Sequence, residues 1–473
     1  MYPEEPNHNT NNDSEEMEKV KNKFKNAIST LINNGKLEEA KKLISEYALI
    51  VDKDVEIYSM NAIIAILENR FNDAEDILNE GLKIDNSNAD LLLNMSYLMD
   101  INNKSKDSLE YFCKAKLLNP KSKVKINEII SQVKSIDNNS LRIIHGSIEI
   151  ANQMNTMARG LRKLGFKATT VDYYPNYLAS KSDYTLNVQS FNDINKANIQ
   201  TKNLASKIIG ENDVFHFHYG STLTLDYSDL YLLKELGKKV IMQHWGSDVR
   251  LYSKAVKNSP HVKLVQPDEN RMKMELDFLS RHISHCAVCD YELYEYVKDY
   301  YSNIYLIPQC VDLENLKVQN NKNNKLLIVH APTNREIKGT EYILKAINDL
   351  QLKYDFDFKL IEKMSHEEAM LTYKRADIVI DQLRIGTYGL VSIENMALGK
   401  PVISYINEYM LEKYPIELPI ITSGVENIKE KIEYLIKNQD ILPDIGLKGR
   451  RYVEKYHDIN KVNLDILEIY KKI

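Results

Sequence analysis

Two segments in the second half of the chain carry the residue types best suited to binding a charged ligand. In the first, residues 330–339, Arg335 and Lys338 lie between the apolar run Leu326–Val329 and the helix-like stretch Glu341–Leu350. This order predicts a strand, a tight loop and the start of a helix. Such a junction binds phosphate well, because backbone N–H groups and the helix dipole face outward and the two side chains add positive charge.

The second segment, residues 386–394, is a glycine-rich loop that leads into a predicted helix. It places a lone carboxylate, Glu394, one turn into that helix, where it can accept hydrogen bonds from the two hydroxyls of a ribose. Together the two segments predict that a nucleotide diphosphate is held without a metal ion. The candidate residues for binding this nucleotide are Arg335, Lys338, Gly386, Tyr388, Gly389, Leu390 and Glu394.

The composition is that of an ordinary globular protein and argues against several classes of function. At 473 residues the chain can form two or three domains with full cores. Its net charge of −5 gives no basic excess for nucleic acid, and its four cysteines do not make a disulfide framework. The longest apolar runs are strand-sized, and the first 18 residues are unlike a signal peptide. We therefore expect a cytoplasmic protein with no transmembrane segment and no nucleic-acid partner.

A repeat occupies the first part of the chain. After a tail that we expect to be disordered, residues 1–18, small residues recur every 34 positions at Ala40, Ala74 and Ser108. Comparable helices are predicted to begin at Leu37, Phe71 and Ser105. Over residues 19–136 this period resembles the tetratricopeptide repeat, a helical hairpin that stacks into a solenoid and presents a concave surface to protein partners. An unrelated helical bundle is the alternative.

From residue 140 onward, short apolar strands alternate with helices, which predicts parallel sheets covered on both faces. We expect a first domain at 140–318, a polar linker at 320–324, a second domain at 325–455 and a final helix at 456–473. The predicted strands are Leu141–His145, Lys167–Tyr174, Asp213–His218, Lys239–Gln243, Ser284–Cys289, Asn303–Ile307, Lys325–Val329, Phe358–Ile361, Asp377–Asp381 and Pro401–Tyr405. Ligands bind where the carboxyl ends of such strands face a cleft.

From Leu141 to the C-terminus the chain resembles the retaining, nucleotide-sugar-dependent glycosyltransferases of the GT-B fold. The resemblance lies in the Arg335 and Lys338 loop, in Glu394, and in the segments His145–Asn152, His244–Arg250 and Ile307–Asp312. It implies two Rossmann-like domains that face a cleft, with an all-α solenoid before them. The family's first motif glutamate would fall at position 386, where this chain has Gly386. Asp381 or Arg384 could supply a nearby polar group in its place.

The same resemblance implies roles for individual residues. His244, Arg335 and Lys338 would be catalytic, and the final helix would cross back onto the first domain. The loop on the acceptor side would contain Gly146, Ser147, Glu149 and Asp248. Transfer would occur with retention, and the departing phosphate oxygen could take the acceptor proton. Neither a metal ion nor another cofactor is then expected.

Several of these residues also have an ordinary structural interpretation. Arg335 and Lys338 could be solvated cations, Glu394 a carboxylate stabilised by the helix dipole, and His244 a satisfied core histidine. We expect His216 and His218 to face opposite sides of their strand and so not to share a metal ion. His282, His285, Cys286 and Cys289 have a spacing like that of zinc ligands. Asp355 and Asp357 form an Asp-x-Asp pattern. We interpret the first as part of a strand and the second as a surface turn.

The resemblance therefore implies a glycosyltransferase that acts on a protein or on a bacterial surface glycan. The repeats would recruit a protein acceptor or partner enzyme, or would serve only for self-association into a homo-oligomer. A non-catalytic scaffold built on a degenerate glycosyltransferase is the alternative, because Gly386 replaces a glutamate. The retention of Arg335, Lys338 and Glu394 argues against it.

Overall fold

The computed structural model describes residues 10–120, 122–131, 136–175, 181–265, 268–318 and 323–473, which form two compact units. The helical unit comprises the described part of Met1–Ser135 together with Asn198–Glu211, and the sheet unit comprises Ile136–Ala197 and Asn212–Ile473. Most of the predicted linker, and the first nine residues of the predicted tail, lie outside the described residues. Where the described part begins, Thr10 already starts a helix, because Met17, Val20 and Phe24 recur at helical spacing.

The helical unit consists of consecutive helices. They are α1 (Thr10–Asn33), α2 (Leu37–Ala48), α3 (Val55–Leu67), α4 (Phe71–Ile84), α5 (Ala89–Ile101), α6 (Ser105–Leu118) and α7 (Ile126–Ile129). The three predicted helix starts, Leu37, Phe71 and Ser105, are confirmed. Asp54 and Asn88 cap the N-termini of α3 and α5.

The small residues of the repeat lie where neighbouring helices approach each other closely. Ala40, Ala74 and Ser108 are fully buried. The hydroxyl of Ser96 donates to the carbonyl oxygen of Ser108 at 2.7 Å, and the hydroxyl of Ser108 donates to the carbonyl oxygen of Ser96 at 2.8 Å. A larger side chain at either position would force α5 and α6 apart. The tetratricopeptide assignment of these helices stays a prediction.

The first domain of the sheet unit is built on seven parallel strands. They are β1 (Arg142–Ser147), β2 (Lys167–Asp172), β3 (Tyr184–Thr185), β4 (Val214–His218), β5 (Lys239–His244), β6 (His285–Val288) and β7 (Asn303–Leu306). Their order is β3-β2-β1-β4-β5-β6-β7. The order reverses between β1 and β4, and the carboxyl ends at such a point form a crevice for ligands.

Helices cover this first sheet. They are α8 (Gln153–Lys163), α9 (Ile194–Glu211), α10 (Ser228–Glu235), α11 (Tyr252–Asn258), α12 (Glu269–His282) and α13 (Tyr291–Val297), with a 3-10 turn at Val188–Ser190. Helix α9 starts in the sheet unit, but its residues from Asn198 onward cluster with the helical unit. There Lys106 pairs with Glu211 at 2.8 Å, and a side chain at Gly210 would meet Leu109.

The second domain is built on five parallel strands in the order β12-β11-β10-β8-β9. They are β8 (Leu327–His330), β9 (Asp357–Leu360), β10 (Ile378–Ile380), β11 (Val402–Ser404) and β12 (Ile421–Thr422). The helices are α14 (Arg335–Lys338), α15 (Thr340–Gln351), α16 (His366–Arg375), α17 (Leu390–Ala397), α18 (Glu408–Lys413), α19 (Ile428–Lys437) and α20 (Leu442–Tyr456), with a 3-10 turn at Gln439–Ile441. Separate apolar clusters fill the two faces of the sheet.

The last helix, α21 (Ile459–Lys472), packs on the first domain. Ile459, Val462 and Ile466 join the apolar core that contains Ile143 and Val214 of the first sheet. Helices α8 and α21 approach so closely that a Cβ atom on Gly160 of α8 would collide with Asn463 of α21. The end of the chain therefore forms part of the core of the first domain.

All ten predicted strands are confirmed, with ends that differ by one or two residues, as is usual for assigned boundaries. Of the zinc-like segment, His285 and Cys286 lie in strand β6, whereas His282 ends α12 and Cys289 follows the strand. Cys286 is buried, and Asp355 pairs with Lys325 before β9 begins. The expectation for His216 and His218 was wrong. Residues two apart on a strand point to the same face, and these two rings stack with centroids 4.5 Å apart.

Candidate functional site

The loop after β8 positions both predicted phosphate-binding cations. Asn334 caps the short helix α14, since its side-chain oxygen accepts from the N–H groups of Glu336 at 3.0 Å and Ile337 at 3.1 Å. Gly339, with φ +75°, ends α14 and turns the chain into α15. The side chain of Asn334 thus satisfies two of the backbone donors that the sequence led us to expect as phosphate ligands. The side chains of Arg335 and Lys338 are the charged groups of this loop.

Lys338 is held at the start of another helix, α17. Its ammonium donates to Asp381 at 2.6 Å and to Gln382 at 2.7 Å, and its side chain is 13% exposed. The carboxylate of Asp381 also accepts from the hydroxyl of Ser392 at 2.7 Å and from the N–H of Gly389 at 3.2 Å. Burial alone would raise the pKa of Asp381, but Lys338 and these hydrogen bonds hold it below its usual range. Asp381 is therefore a carboxylate that an ammonium and a helix N-terminus share.

Arg335 lies at the rim of the same sheet edge. Its side chain is 58% exposed and forms an ion pair with Glu362, which follows β9, with Nε and Oε1 2.6 Å apart. An exposed pair of this kind adds little to stability, because water and salt screen the two charges. Arg335 can therefore exchange Glu362 for an incoming polyanion at little cost.

Glu394 is buried one turn into α17 and is paired with a histidine. One of its oxygens lies 2.7 Å from Nε2 of His366, the first residue of α16. This hydrogen bond raises the pKa of His366 although burial opposes the shift. Sequence reasoning missed His366, which lies 28 residues from its partner on a different helix. Of the other predicted donor residues, Leu390 begins α17, and Tyr388 points its hydroxyl toward His457 at 3.0 Å and Tyr452 at 3.2 Å.

Position 386 has no room for a side chain. Gly386 has φ +94°, and a Cβ atom there would lie 2.5 Å from the hydroxyl oxygen of Ser259 and closer still to the side-chain nitrogen of Asn407. The N–H of Asn407 donates to the carbonyl oxygen of Gly386 at 3.0 Å. Both the backbone conformation and the neighbours therefore require glycine.

The four residues predicted for one acceptor-side loop are divided in the structure: Gly146 and Ser147 are the last two residues of β1, Glu149 follows them, and Asp248 lies on the loop after β5. The hydroxyl of Ser147, which follows Gly146, donates to the carbonyl oxygen of Thr222 at 2.7 Å. Glu149 is buried and accepts from the N–H groups of Met154 and Asn155, both at 3.0 Å, at the start of α8. Burial raises the pKa of Glu149 to about 7 against the effect of these donors. The loop is thus held in one conformation at the carboxyl end of β1.

His244, at the end of β5, has a partner on each ring nitrogen. Nδ1 lies 2.7 Å from Asp248 and Nε2 lies 2.9 Å from the hydroxyl of Tyr301, and only 1% of the residue is exposed. The other oxygen of Asp248 accepts from the N–H groups of Trp245 and Gly246. Both ring nitrogens of His244 are therefore engaged in hydrogen bonds. His244 therefore braces its loop and has no free nitrogen for proton transfer.

A buried chain of aromatic side chains lies next to this loop. The indole N–H of Trp245 donates to Nδ1 of His218 at 3.0 Å, so Nε2 of His218 carries the hydrogen and donates to Nδ1 of His145, also at 3.0 Å. The hydroxyl of Tyr470 on α21 donates to Nδ1 of His216 at 2.6 Å. Burial lowers the pKa of all three histidines, that of His145 to about 3, so the rings are neutral.

His145, His216 and His218 each place a ring nitrogen within 4.8 Å of the others. Among the described residues, they are the candidate group for binding a metal ion. Two observations disfavour a common ligand set. The rings of His216 and His218 are only 17° from parallel, so their lone pairs run in parallel planes. Trp245, His145 and Tyr470 also occupy ring nitrogens of His218 and His216, although Nε2 of His216 is buried without a hydrogen-bond partner among the residues that the structure describes. The cluster fits a hydrogen-bonded chain that joins α21 to the Trp245 loop.

Two cavities lie beside these residues. The central cavity, of about 470 Å³, is bounded by Trp245, Arg250 and Asp290 of the first domain and by Tyr388, Gly389 and Tyr414 of the second. The side pocket, of about 520 Å³, lies in the first domain alone and is lined by His244 and Asp248 together with Tyr219, Ser221, Ser247 and Arg271. His244 thus lines the side pocket, whereas the predicted donor residues Tyr388 and Gly389 line the central cavity, which the next residue, Trp245, also bounds.

Comparisons with known proteins agree with this architecture. No protein-family model matches the chain. A curated but uncharacterized glycosyltransferase of Methanocaldococcus jannaschii is 22% identical over 204 residues, which are 33% of this chain and 56% of that protein. This chain therefore spans little more than half the length of that relative.

Among solved structures, HepE of Anabaena in complex with UDP-glucose is 10% identical and covers 70% of this chain and 100% of its own, with a TM-score of 0.51. The O-GlcNAc transferase of Thermobaculum terrenum, also 10% identical, covers 95% of this chain and 96% of its own at a TM-score of 0.44, which is too low to support an argument. Likeness at this identity shows the fold alone. The expected GT-B arrangement of two parallel-sheet domains is confirmed.

Proposed function

We propose that this chain is a glycosyltransferase that moves a sugar from a nucleotide-diphosphate sugar to an acceptor, with retention and without a metal ion. One observation carries the proposal. The ammonium of Lys338 is held at the N-terminus of α17, beside Gly389, which bounds the central cavity between the two domains. The GT-B fold and the glycosyltransferase from Methanocaldococcus support the same class of reaction.

Lys338 and Arg335 would bind the donor diphosphate. A lysine ammonium has three N–H donors, and Asp381 and Gln382 engage two of those on Lys338, so one is left for a phosphate oxygen. Because Asp381 offsets much of the charge on Lys338, Arg335 supplies the net positive charge from the rim. When the sugar–phosphate bond breaks, negative charge grows on the diphosphate, and both cations stabilise it.

Glu394 would bind the ribose of the donor. It has a second oxygen besides the one near His366, and a carboxylate can accept several hydrogen bonds. His366 would hold the carboxylate in one orientation, so that a ribose hydroxyl meets an already positioned acceptor. The pairing with His366 supports ribose binding as the role of Glu394, in preference to a carboxylate that the helix dipole merely stabilises.

The transfer itself would need no protein base. The bond between the anomeric carbon and the phosphate oxygen breaks, and the acceptor oxygen forms its bond on the same face of the sugar. The proton of the acceptor hydroxyl passes to the departing phosphate oxygen. His244 has no free ring nitrogen for this step, and we assign it the role of holding Asp248 at the side pocket.

The side pocket would take the acceptor. Its lining offers hydroxyls from Tyr219, Ser221 and Ser247, with charges of both signs from Asp248 and Arg271. Such a surface suits a polyhydroxylated or peptide acceptor, in line with a protein or a bacterial surface glycan. The helical unit would recruit that acceptor or a partner protein through its helices, as tetratricopeptide solenoids do.

Binding and turnover of nucleotides test the proposal. The purified chain is titrated calorimetrically with UDP, GDP and ADP and is then incubated with UDP-glucose, UDP-N-acetylglucosamine and GDP-mannose. We expect one nucleoside diphosphate to bind and its sugar form to release that diphosphate, both with and without EDTA. Loss of turnover in EDTA would refute metal independence. Failure of every nucleotide to bind would favour the non-catalytic scaffold.

A further inference from the structure

The space that a side chain at position 386 would fill is already occupied. The hydroxyl of Ser259, from the first domain, donates to the carbonyl oxygen of Ile385 at 2.9 Å, and Asn407 holds the backbone of Gly386. A glutamate at this position would require a left-handed backbone and would collide with both neighbours. The second domain therefore cannot present a carboxylate from position 386, so any carboxylate that meets the sugar must come from elsewhere.

Among the described residues that bound the central cavity, Asp290 is the one carboxylate. It follows β6 of the first domain and caps α13, where one of its oxygens accepts from the N–H of Leu293 at 3.0 Å. Its other oxygen accepts from the hydroxyl of Thr387 at 2.7 Å. Thr387 is the residue after Gly386. The first domain therefore places a carboxylate beside the position that lacks one.

The carboxylate of Asp290 retains capacity for a ligand. A carboxylate has about four acceptor positions, of which Leu293 and Thr387 use two, while Tyr414 lies at the longer distance of 3.4 Å. The nearby guanidinium of Arg250 is taken by Glu292, with contacts of 2.8 and 2.7 Å. Asp290 thus faces the cavity with free acceptor positions.

The walls around Asp290 suit a sugar ring. Trp245, Tyr388 and Tyr414 bound the same cavity and offer apolar ring faces, while the carboxylate offers acceptors for hydroxyl groups. Apolar faces with a few fixed polar groups are the usual composition of a small-molecule site. Gly389 bounds the same cavity, so the phosphate region proposed above lies at its edge.

We infer that Asp290 is the sugar-binding carboxylate of this site, accepting hydrogen bonds from hydroxyls of the donor sugar in place of the side chain absent at position 386. The inference rests on the proposed function. It has a specific consequence, because the nucleoside and the phosphates are assigned to the second domain and only the sugar would touch Asp290. Asp290 should then affect the binding of a nucleotide sugar and not that of the nucleoside diphosphate.

The test compares the two ligands on matched variants. Asp290→Asn keeps an oxygen for the N–H of Leu293 and removes the charge, and Asp193→Asn makes the same change at the exposed N-cap of α9 as a control. Calorimetry measures the affinity for UDP and UDP-glucose, and for the other nucleotide pairs used above. For Asp290→Asn we expect nucleotide-sugar affinity to fall about 10- to 100-fold, and nucleoside-diphosphate affinity to stay within twofold.

A second variant tests whether Asp290 contacts the sugar or only joins the two domains through its hydrogen bond to Thr387. Thr387→Val removes the hydrogen bond to Asp290 but keeps the carboxylate, so we expect it to weaken nucleotide-sugar binding much less than Asp290→Asn. If both variants lose the same nucleotide-sugar affinity, the inference is overturned, and Asp290 serves to join the two domains. If Asp290→Asn does not fold, Asp290→Ser, whose hydroxyl also caps a helix, replaces it.

The outcomes keep the two proposals apart. Unchanged nucleotide-sugar affinity in Asp290→Asn, with nucleoside diphosphates still bound, overturns the sugar contact and leaves the transferase proposal standing. If no nucleoside diphosphate binds even the unaltered chain, the transferase proposal fails and the inference fails with it.

Discussion

At the scale of single residues, the site depends on how Lys338 is held. An ammonium between Asp381 and Gln382 has little freedom, so the proposed binding of a diphosphate would require no reorganisation of Lys338. That preorganisation is what makes a charged donor effective in stabilising developing charge. Asp381 and Gln382 take two of the three N–H donors of Lys338, so the third can still donate to a ligand.

Removing this ammonium should impair catalysis and also lower stability, because it leaves the buried carboxylate of Asp381 without its counter-charge. We expect Lys338→Ala to lower kcat/KM for the nucleotide sugar by about 100-fold or more, which corresponds to about 3 kcal/mol of transition-state stabilisation. Steady-state kinetics with urea unfolding as the stability check measure this. Lys345→Ala, on the exposed face of α15, is the matched control and should retain activity. A Lys338→Ala enzyme as active as the control would remove Lys338 from the site.

The pairing of His366 with Glu394 predicts a pH dependence of stability. The pKa of His366 is raised in the folded chain, so protonation favours the folded state. The contribution is complete below the unfolded pKa of about 6.5 and is lost as the pH rises through the higher folded pKa. Urea midpoints of the unaltered chain and of His366→Gln should therefore differ most near pH 5.5 and converge toward pH 9. A difference that does not change with pH would contradict the pairing.

At the scale of elements, the turn between β10 and α17 is fixed by Gly386. Gly386→Ala should destabilise the chain for two reasons, the left-handed backbone, worth about 1–2 kcal/mol, and the collision with Ser259 and Asn407. Gly165 has a similar φ of +88° with nothing within 4 Å of its Cβ position, so Gly165→Ala isolates the backbone effect. Urea unfolding of both variants should give the larger loss for Gly386→Ala. Equal losses would mean that Ser259 and Asn407 move aside.

The elements themselves were predictable from the sequence, because buried parallel strands are short apolar runs bounded by polar residues. Val214–His218 and Leu327–His330 are examples. The small residues at the 34-residue period likewise predicted the helix starts. These signals are local, and each reflects the burial of one face of one element.

The arrangement of the site was less predictable, because it depends on residues far apart in sequence. Lys338 and Asp381 are 43 positions apart, and Thr387 and Asp290 are 97 apart. No pattern within one segment reports such a contact. Asp290 did carry one usable signal, since it is a polar residue directly after the predicted strand Ser284–Cys289. For His216 and His218 the signal was present and was misread.

At the scale of the whole molecule, the described residues contain no helix that combines the length and apolar character needed to cross a membrane. The helical unit is formed by two separate segments of the chain. The chain leaves the helical unit near residue 135 and returns to it with Asn198–Glu211. Helix α9 therefore depends on contacts in the helical unit, such as the pair between Lys106 and Glu211.

Truncation should expose this dependence. A chain that starts at residue 136 lacks the partners of Asn198–Glu211, so we expect a lower Tm and faster amide hydrogen exchange in that segment than in the full chain. Co-expression with a separate fragment of residues 1–135 should restore both. Unchanged exchange in the truncated chain would show that the sheet unit protects α9 by itself.

The path of the chain through α9 also bears on how such a protein can be rearranged by recombination. A module joined at one end can be exchanged by a single crossover in the gene. Here fourteen residues of the helical unit, Asn198–Glu211, are encoded inside the sheet unit. A graft that keeps this unit complete must bring two separate stretches of gene together. We therefore expect natural chimaeras to exchange residues 1–135 only together with a compatible α9.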